Sequence, residues 1–189
     1  MNANTSLVVG SLEAIAKRDN MSLAESFLTC DIVVLCDTSG SMSMKDSRGG
    51  KSRYDVSLEE LAQLQATMPG KLGIISFSSS TMFCPGGQPF DLGGGTDLAG
   101  ALRFAKVADV PGMQFIVISD GKPDSEQEAL KEAKRYDAKI STIFVGPEDD
   151  LEGGRKFLQQ LAAASGGASV TADRAKELAS KVERLLLTN

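Results

Sequence analysis

The 189-residue sequence contains no histidine. That removes the most common zinc ligand and the most common general base from any function assigned to it. Cysteine is scarce as well. Cys30, Cys36 and Cys84 do not make a disulfide framework. If Cys30 and Cys36 share one strand, about six steps of roughly 3.3 Å separate them, too far to bridge. All three read as small buried hydrophobes. There is no basic excess: the net charge is −5. A dense basic face is what phosphate recognition needs, so general nucleic-acid binding is disfavoured. No segment approaches the roughly 20 apolar residues that span a bilayer. The opening MNANTSLVVGSLEAIAKRDN has no basic leader ahead of its short apolar run. The expectation is a cytoplasmic chain with neither membrane nor nucleic acid as partner.

What is present suits one folded domain with a sizeable core, at 42% hydrophobic and 24% charged residues. Asp31 to Asp37, Lys71 to Ser78, Met113 to Asp120 and Lys139 to Gly146 are nearly continuous runs of apolar, often β-branched residues. Such runs mark strands covered on both faces. Helical spacing appears between them: Arg53 to Met68 (Tyr54, Leu58, Leu61 and Met68 on one side), Asp97 to Val107, and Ser125 to Tyr136. Arg155 to Ala164 reads as a helix stopped by Gly166-Gly167, Ala168 to Thr171 as a short strand, and Asp173 to Leu187 as a last amphipathic helix. Strand alternating with helix predicts a doubly wound α/β fold, a mostly parallel sheet with helices on both faces. The turn Ser78-Ser79-Ser80 is too short for a crossover, so Thr81 to Cys84 should be an antiparallel edge strand.

Residues 1–29 read as an N-terminal helical extension to a domain spanning 30–189. Ser6 to Lys17 and Leu23 to Leu28 look helical, the second opened by a Ser22–Glu25 capping box. Leu7, Leu12 and Ile15 form an apolar stripe with Ser11 and Glu13 outside it, predicting packing on the domain or a partner.

Three segments carry chemistry. The first strand ends in Asp37-Thr38-Ser39-Gly40-Ser41. Gly93-Gly94-Gly95-Thr96-Asp97 leads into a helix. The third parallel strand ends in Asp120, followed by Gly121-Lys122-Pro123-Asp124. All fall at strand ends or helix starts, where open α/β sheets place ligands. Asp37, Ser39, Ser41, Thr96 and Asp120 offer oxygen only, which suits Mg²⁺ or Mn²⁺ better than zinc or copper. With neutral hydroxyls in the shell, the ion would keep net positive charge and welcome a carboxylate from outside. Cys36, one step before Asp37, should point to the opposite face.

These segments give the chain a resemblance to the von Willebrand factor type A domain, over roughly Asp31 to Leu187. D-x-S-x-S matches Asp37, Ser39 and Ser41 of the family's metal-ion-dependent adhesion site; the family threonine matches Thr96 and its second aspartate Asp120. The resemblance implies strand order 3-2-1-4-5-6, which puts Asp37 and Asp120 side by side. It implies direct binding of the ion by the serines, and a protein partner that supplies an Asp or Glu carboxylate. Bacterial cytoplasmic relatives of this kind work beside AAA-type ATPases of the MoxR kind or in stress and tellurite-resistance clusters.

Other features carry plainer readings. Gly49-Gly50-Lys51-Ser52 lacks the first glycine of a P-loop, because Lys45 stands in its place. Gly93 to Gly95 let backbone approach the metal loop so that Thr96 can reach it. Lys45, Arg48, Lys51 and Arg53 form either a solvated loop or a basic rim that steers an acidic partner. Pro147-Glu148-Asp149-Asp150 reads as a surface turn in preference to a second cation site. Two further classes compete with a binding module. One is a Mg²⁺-dependent phosphate-ester hydrolase with Asp37 as nucleophile. It lacks the usual Asp two residues on, where Ser39 stands, and no nearby acid or base replaces it. The other is a structural subunit whose ion only ties loops together. The reading taken forward is a non-enzymatic module.

Overall fold

The computed structural model describes residues 7–147 and 149–171. β1 (Ile32–Asp37) lies at the centre of a six-stranded sheet, paired in parallel with β2 (Leu72–Phe77) and β4 (Gln114–Ser119). β5 (Ile140–Phe144) and β6 (Ser169–Thr171) continue in parallel beyond β4. β3 (Thr81–Phe83) closes the other edge antiparallel to β2. The order is β3-β2-β1-β4-β5-β6, as the resemblance implies, with the antiparallel edge where the short serine turn requires it.

Every residue of β1, β2 and β5 is buried, which is why their sequences run apolar without alternation. Ile32, Val34, Ile74, Ile116 and Ile118 face α3 (Arg53–Thr67), meeting Val56, Leu61 and Leu64. Val33, Leu35, Ile75, Phe77 and Val117 face α4 (Leu98–Ala105), α5 (Glu126–Ala133) and α6 (Gly154–Ser165). The helix expected over Asp173 to Leu187 lies outside the described residues. Among the described residues no helix is long and apolar enough to cross a membrane. Cys30, Cys36 and Cys84 are free and buried.

α3 buries a different face from the one its apolar residues suggest. Arg53, Val56, Ser57, Glu60, Leu61, Leu64 and Gln65 point inward, while Tyr54 and Leu58 are only half-buried. Ser52 caps the helix by accepting from the Asp55 amide, and that fixes its phase. Two of the buried polar side chains donate internally: Ser57 Oγ to the Arg53 carbonyl at 2.9 Å, and Gln65 Nε2 to the Gly87 carbonyl at 2.5 Å.

The N-terminal segment also departs from expectation. α1 (Leu12–Asp19) starts six residues later than Ser6, because Gly10 turns the chain at φ +87° and Ser11 is the N-cap, accepting from the Ala14 amide. Ser11 is therefore buried rather than outside the apolar stripe, and Leu7 precedes the helix. The Val8 and Glu13 amides donate to the carbonyls of Gly86 and Pro85, and the Gly70 amide to that of Gly10. Leu12 is buried, and Ile15 lies against Gly70. Ser22 and Glu25 form the expected capping box on α2 (Leu23–Leu28). These contacts fall at the end of the sheet where β2 begins, opposite the C-terminal ends of the parallel strands.

At that C-terminal edge, the chain leaving β4 presses backbone to backbone on the start of α6. A Cβ on Gly154 would overlap the Asp120 carbonyl oxygen, and a Cβ on Gly121 would overlap the Gly154 carbonyl. Asp150 secures the helix start by accepting from the Gly154 and Arg155 amides at 3.0 and 2.9 Å. Gly154→Ala should therefore cost about 1–3 kcal/mol through overpacking against rigid backbone, read as a lower thermal midpoint. An unchanged midpoint would mean that the two segments are not in contact.

Candidate metal centre

Asp37, the last residue of β1, is fully buried. One carboxylate oxygen accepts from the Ser39 amide at 2.9 Å and the other from Ser119 Oγ at 2.6 Å. Ser119 closes β4, so the bond ties the ends of the two central strands. A 3-10 turn at Gly40–Ser43 then folds the chain back, placing Ser39 Oγ and Ser41 Oγ 3.2 Å apart. Met42, between them and the next serine, plugs the core. Cys36 lies on the opposite face, paired across the sheet with Ser76.

Thr96 reaches this edge on a loop clamped from four directions. Gly93 N donates to the Thr38 carbonyl and Gly40 N to the Gly94 carbonyl, at 3.0 and 2.9 Å. Gly95 N donates to Ser79 Oγ at 2.8 Å, and Thr96 N to the Asp124 carboxylate at 2.9 Å. Gly93 and Gly94 take φ of +62° and +85°, a conformation that side chains disfavour. The structure thus brings the three expected segments together at the ends of β1, β2 and β4. Ser119, Ser79 and Asp124 hold the site in shape, a role that the sequence does not single out because Ser and Asp are common in turns.

Asp120 follows β4 and is buried. One of its oxygens accepts from the Lys122 amide at 3.2 Å, and the other from Arg53 Nη1 at 2.5 Å. Arg53 is 1% exposed, and its other nitrogens grip Asp46 at 2.8 and 2.6 Å. That grip holds the Asp46 carboxyl below its ordinary pKa. Of the two readings of this loop, the basic rim finds little support. Arg53 is buried, Arg48 pairs with Glu59 and Glu60 at 3.0 and 2.8 Å, and Lys51 pairs with Glu59. Three of the loop's four cations are thus met by acids of α3, by Asp46 and by Asp120, while Lys45 is exposed. Ser52, at the end of the Gly49-Gly50 run, serves as the α3 cap. Asp150 of the acidic turn is likewise engaged by helix amides.

Burial, then the neighbouring charge of Asp120, pushes the Asp37 carboxyl up to about 6 against the pull of its hydrogen bonds. Among the described residues, no three His, Cys, Asp or Glu side chains cluster as a metal site. An ion here would thus have to rely on hydroxyl oxygens as well as the two aspartates. The donor set fits a hard cation. The 3.2 Å between Ser39 Oγ and Ser41 Oγ is close to the roughly 3 Å edge of an octahedron with metal–oxygen bonds of about 2.1 Å.

Solved structures of similar fold bear out the architecture. The crystal structure of an aerotolerance-related membrane protein from Bacteroides fragilis, bearing multiple mutations to serines, superposes with a TM-score of 0.67 at 16% identity. The match covers 84% of this chain and 98% of that one. A von Willebrand factor type A structure from Catenulispora acidiphila gives a TM-score of 0.56 at 16% identity, covering 82% of this chain and 42% of that one. The chain has a von Willebrand factor type A-like fold. The PilB minor pilin from Streptococcus sanguinis is also similar, with a TM-score of 0.54 at 14% identity, covering 85% of this chain and 61% of the pilin. No protein-family model matches the chain, and no curated protein matches it. Identities this low concern the fold alone. Within the type A-like fold, Asp37 and Asp120 sit at the junction of β1 and β4, where the strand order reverses.

The raised Asp37 pKa has a defined sign for stability. A folded-state value near 6, against roughly 3.9 unfolded, means that ionisation opposes folding. The penalty is complete above the folded value and disappears as pH falls toward the unfolded one. In EDTA, Asp37→Asn should stabilise the protein at pH 7 by about 1–3 kcal/mol, and the gap should close by about pH 4. Urea unfolding from pH 4 to 8 measures it. An Asn variant less stable than wild type at pH 7 would contradict the burial penalty.

Proposed function

We propose that the chain is a protein-binding module that holds one divalent cation, Mg²⁺ or Mn²⁺, through Asp37, Ser39, Ser41, Thr96 and Asp120. A partner's Asp or Glu would complete the ion's shell. The observation that carries this reading is the pair of hydroxyls 3.2 Å apart beside two buried carboxylates, at the open edge of the sheet. When bound, the ion supplies an electrophilic position for the incoming carboxylate. The protein's own part is to hold the donors in place: Ser119 and the Ser39 amide fix Asp37, and the clamped glycine loop fixes Thr96. A cytoplasmic chain acting beside an AAA-type ATPase of the MoxR kind, or in a stress-response complex, is the setting we favour.

Catalysis is not part of the proposal. Position 39 is a serine, and the chain has no histidine. Mg²⁺-dependent turnover of a generic phosphate ester by wild type, lost in Asp37→Ala, would favour a hydrolase instead.

Calorimetry should detect one Mg²⁺ per chain in wild type and none in Asp37→Ala. A hundredfold excess of ion over its dissociation constant should stabilise wild type by about 2.7 kcal/mol. Equal binding by both proteins would sink the proposed site. For a partner recovered in Mg²⁺, release by EDTA is expected. Thr96→Ala should weaken the partner more than the ion, whereas Asp37→Ala should weaken both. Undiminished partner binding in EDTA would leave the ion, at most, a structural role.

A further inference from the structure

Arg53 is the feature of the site that neither the proposed shell nor the core explains. A long cationic side chain loses about 2 kcal/mol of rotamer freedom on burial, and desolvating its charge costs more unless carboxylates meet it. Here they do. Arg53 Nη1 binds one oxygen of Asp120, and Nε and Nη2 take both oxygens of Asp46. Its backbone amide donates to the Met44 carbonyl at 3.1 Å. Arg53 therefore joins the end of β4 to the loop that carries Ser41, and it opens α3 beneath both.

The buried charges are few enough to count. Asp37 and Asp120 bring two buried negative charges and Arg53 one buried positive; Asp46 also meets Arg53, but its side chain is about one third exposed and solvent screens it, so the buried pocket is left with about one negative charge. A divalent ion in such a pocket keeps about one positive charge for an external ligand. Without Arg53 the two carboxylates would neutralise the ion, binding it more tightly and dulling its attraction for a further carboxylate.

We infer that Arg53 is a positioning residue for the site: a built-in counter-cation that holds Asp120 by one oxygen, weakens the grip on the metal and keeps the bound ion receptive to a partner's carboxylate. This rests on the metal-binding reading above. The half-buried Arg48 and the exposed Lys51 cannot share the role, because acids of α3 already take their charge.

The test compares wild type with Arg53→Met, which keeps the bulk without the charge, and Arg53→Lys, which keeps the charge without the fork. Mn²⁺ is the probe ion and acetate the probe carboxylate, with displacement of Mn²⁺-bound water read from solvent proton relaxation. Arg53→Met should bind Mn²⁺ at least about tenfold more tightly and need several-fold more acetate for half displacement. Arg53→Lys should stay near wild type in both. Equal or weaker Mn²⁺ binding by folded Arg53→Met would overturn the inference. If wild type binds no Mn²⁺, the metal-binding reading fails instead, and unfolding in EDTA decides the counter-charge role by itself. Arg53→Met should be destabilised and a second change, Asp120→Asn, should restore stability, because the uncompensated charge is then gone. Purely additive losses would show that Arg53 does not neutralise Asp120.

Discussion

A carboxylate sits at the buried end of the central strand, and the arrangement around it follows from the cost of putting it there. Asp37 has no access to solvent, so its oxygens must be hydrogen-bonded inside the protein. Ser119 and the Ser39 amide meet that need, one from the neighbouring strand and one from the turn that follows. The first bond locks β4 to β1. The second bends the chain into the turn that returns Ser41 beside Ser39. A second carboxylate, Asp120, lies close enough to raise the proton affinity of the first. It is made tolerable by a buried arginine. The site is thus preorganised by internal partners before any ion is considered, which is how a cluster of oxygen donors can be held ready in a small, hydroxyl-rich shell.

The two ends of the sheet divide the work. At the C-terminal edge, four glycine-rich or serine-rich segments converge, and their backbones are tied to one another rather than to solvent. At the opposite end, the N-terminal segment packs on the close of α3 and the loop after β3. Residues 7–29 therefore lie away from the candidate site. These described residues cover apolar surface where β2 begins, and none of them joins the oxygen cluster.

Much of this was legible in the residues. Buried parallel strands need apolar side chains on both faces, so β1, β2, β4 and β5 show as runs that periodicity cannot disguise. The antiparallel edge follows from a turn too short to cross over. The capping box at Ser22 and Glu25 is local in sequence and was read directly. The candidate donors were legible because D-x-S-x-S and GGGTD are compact motifs at element ends. The α3 face was not, because its inward residues include Arg53, Ser57, Glu60 and Gln65, and a hydrophobic count treats such residues as outward. The start of α1 was missed because Leu7 and Val8 look helical, while Gly10 and Ser11 decide the phase.

The sequence by itself determined the architecture and the chemistry of the donors: alternation of element types, the place of each motif at a strand end, and an oxygen-only set without histidine. These depend on local pattern, which near neighbours along the chain suffice to specify. Only the tertiary structure decided which charges cancel. Arg53 and Asp120 lie 67 residues apart, and Asp37 and Ser119 lie 82 apart. Nothing in either neighbourhood marks the pairing. A charge in sequence is only a potential; its sign at the site depends on what folding places within a few ångströms, because electrostatic interaction falls with distance and rises with burial.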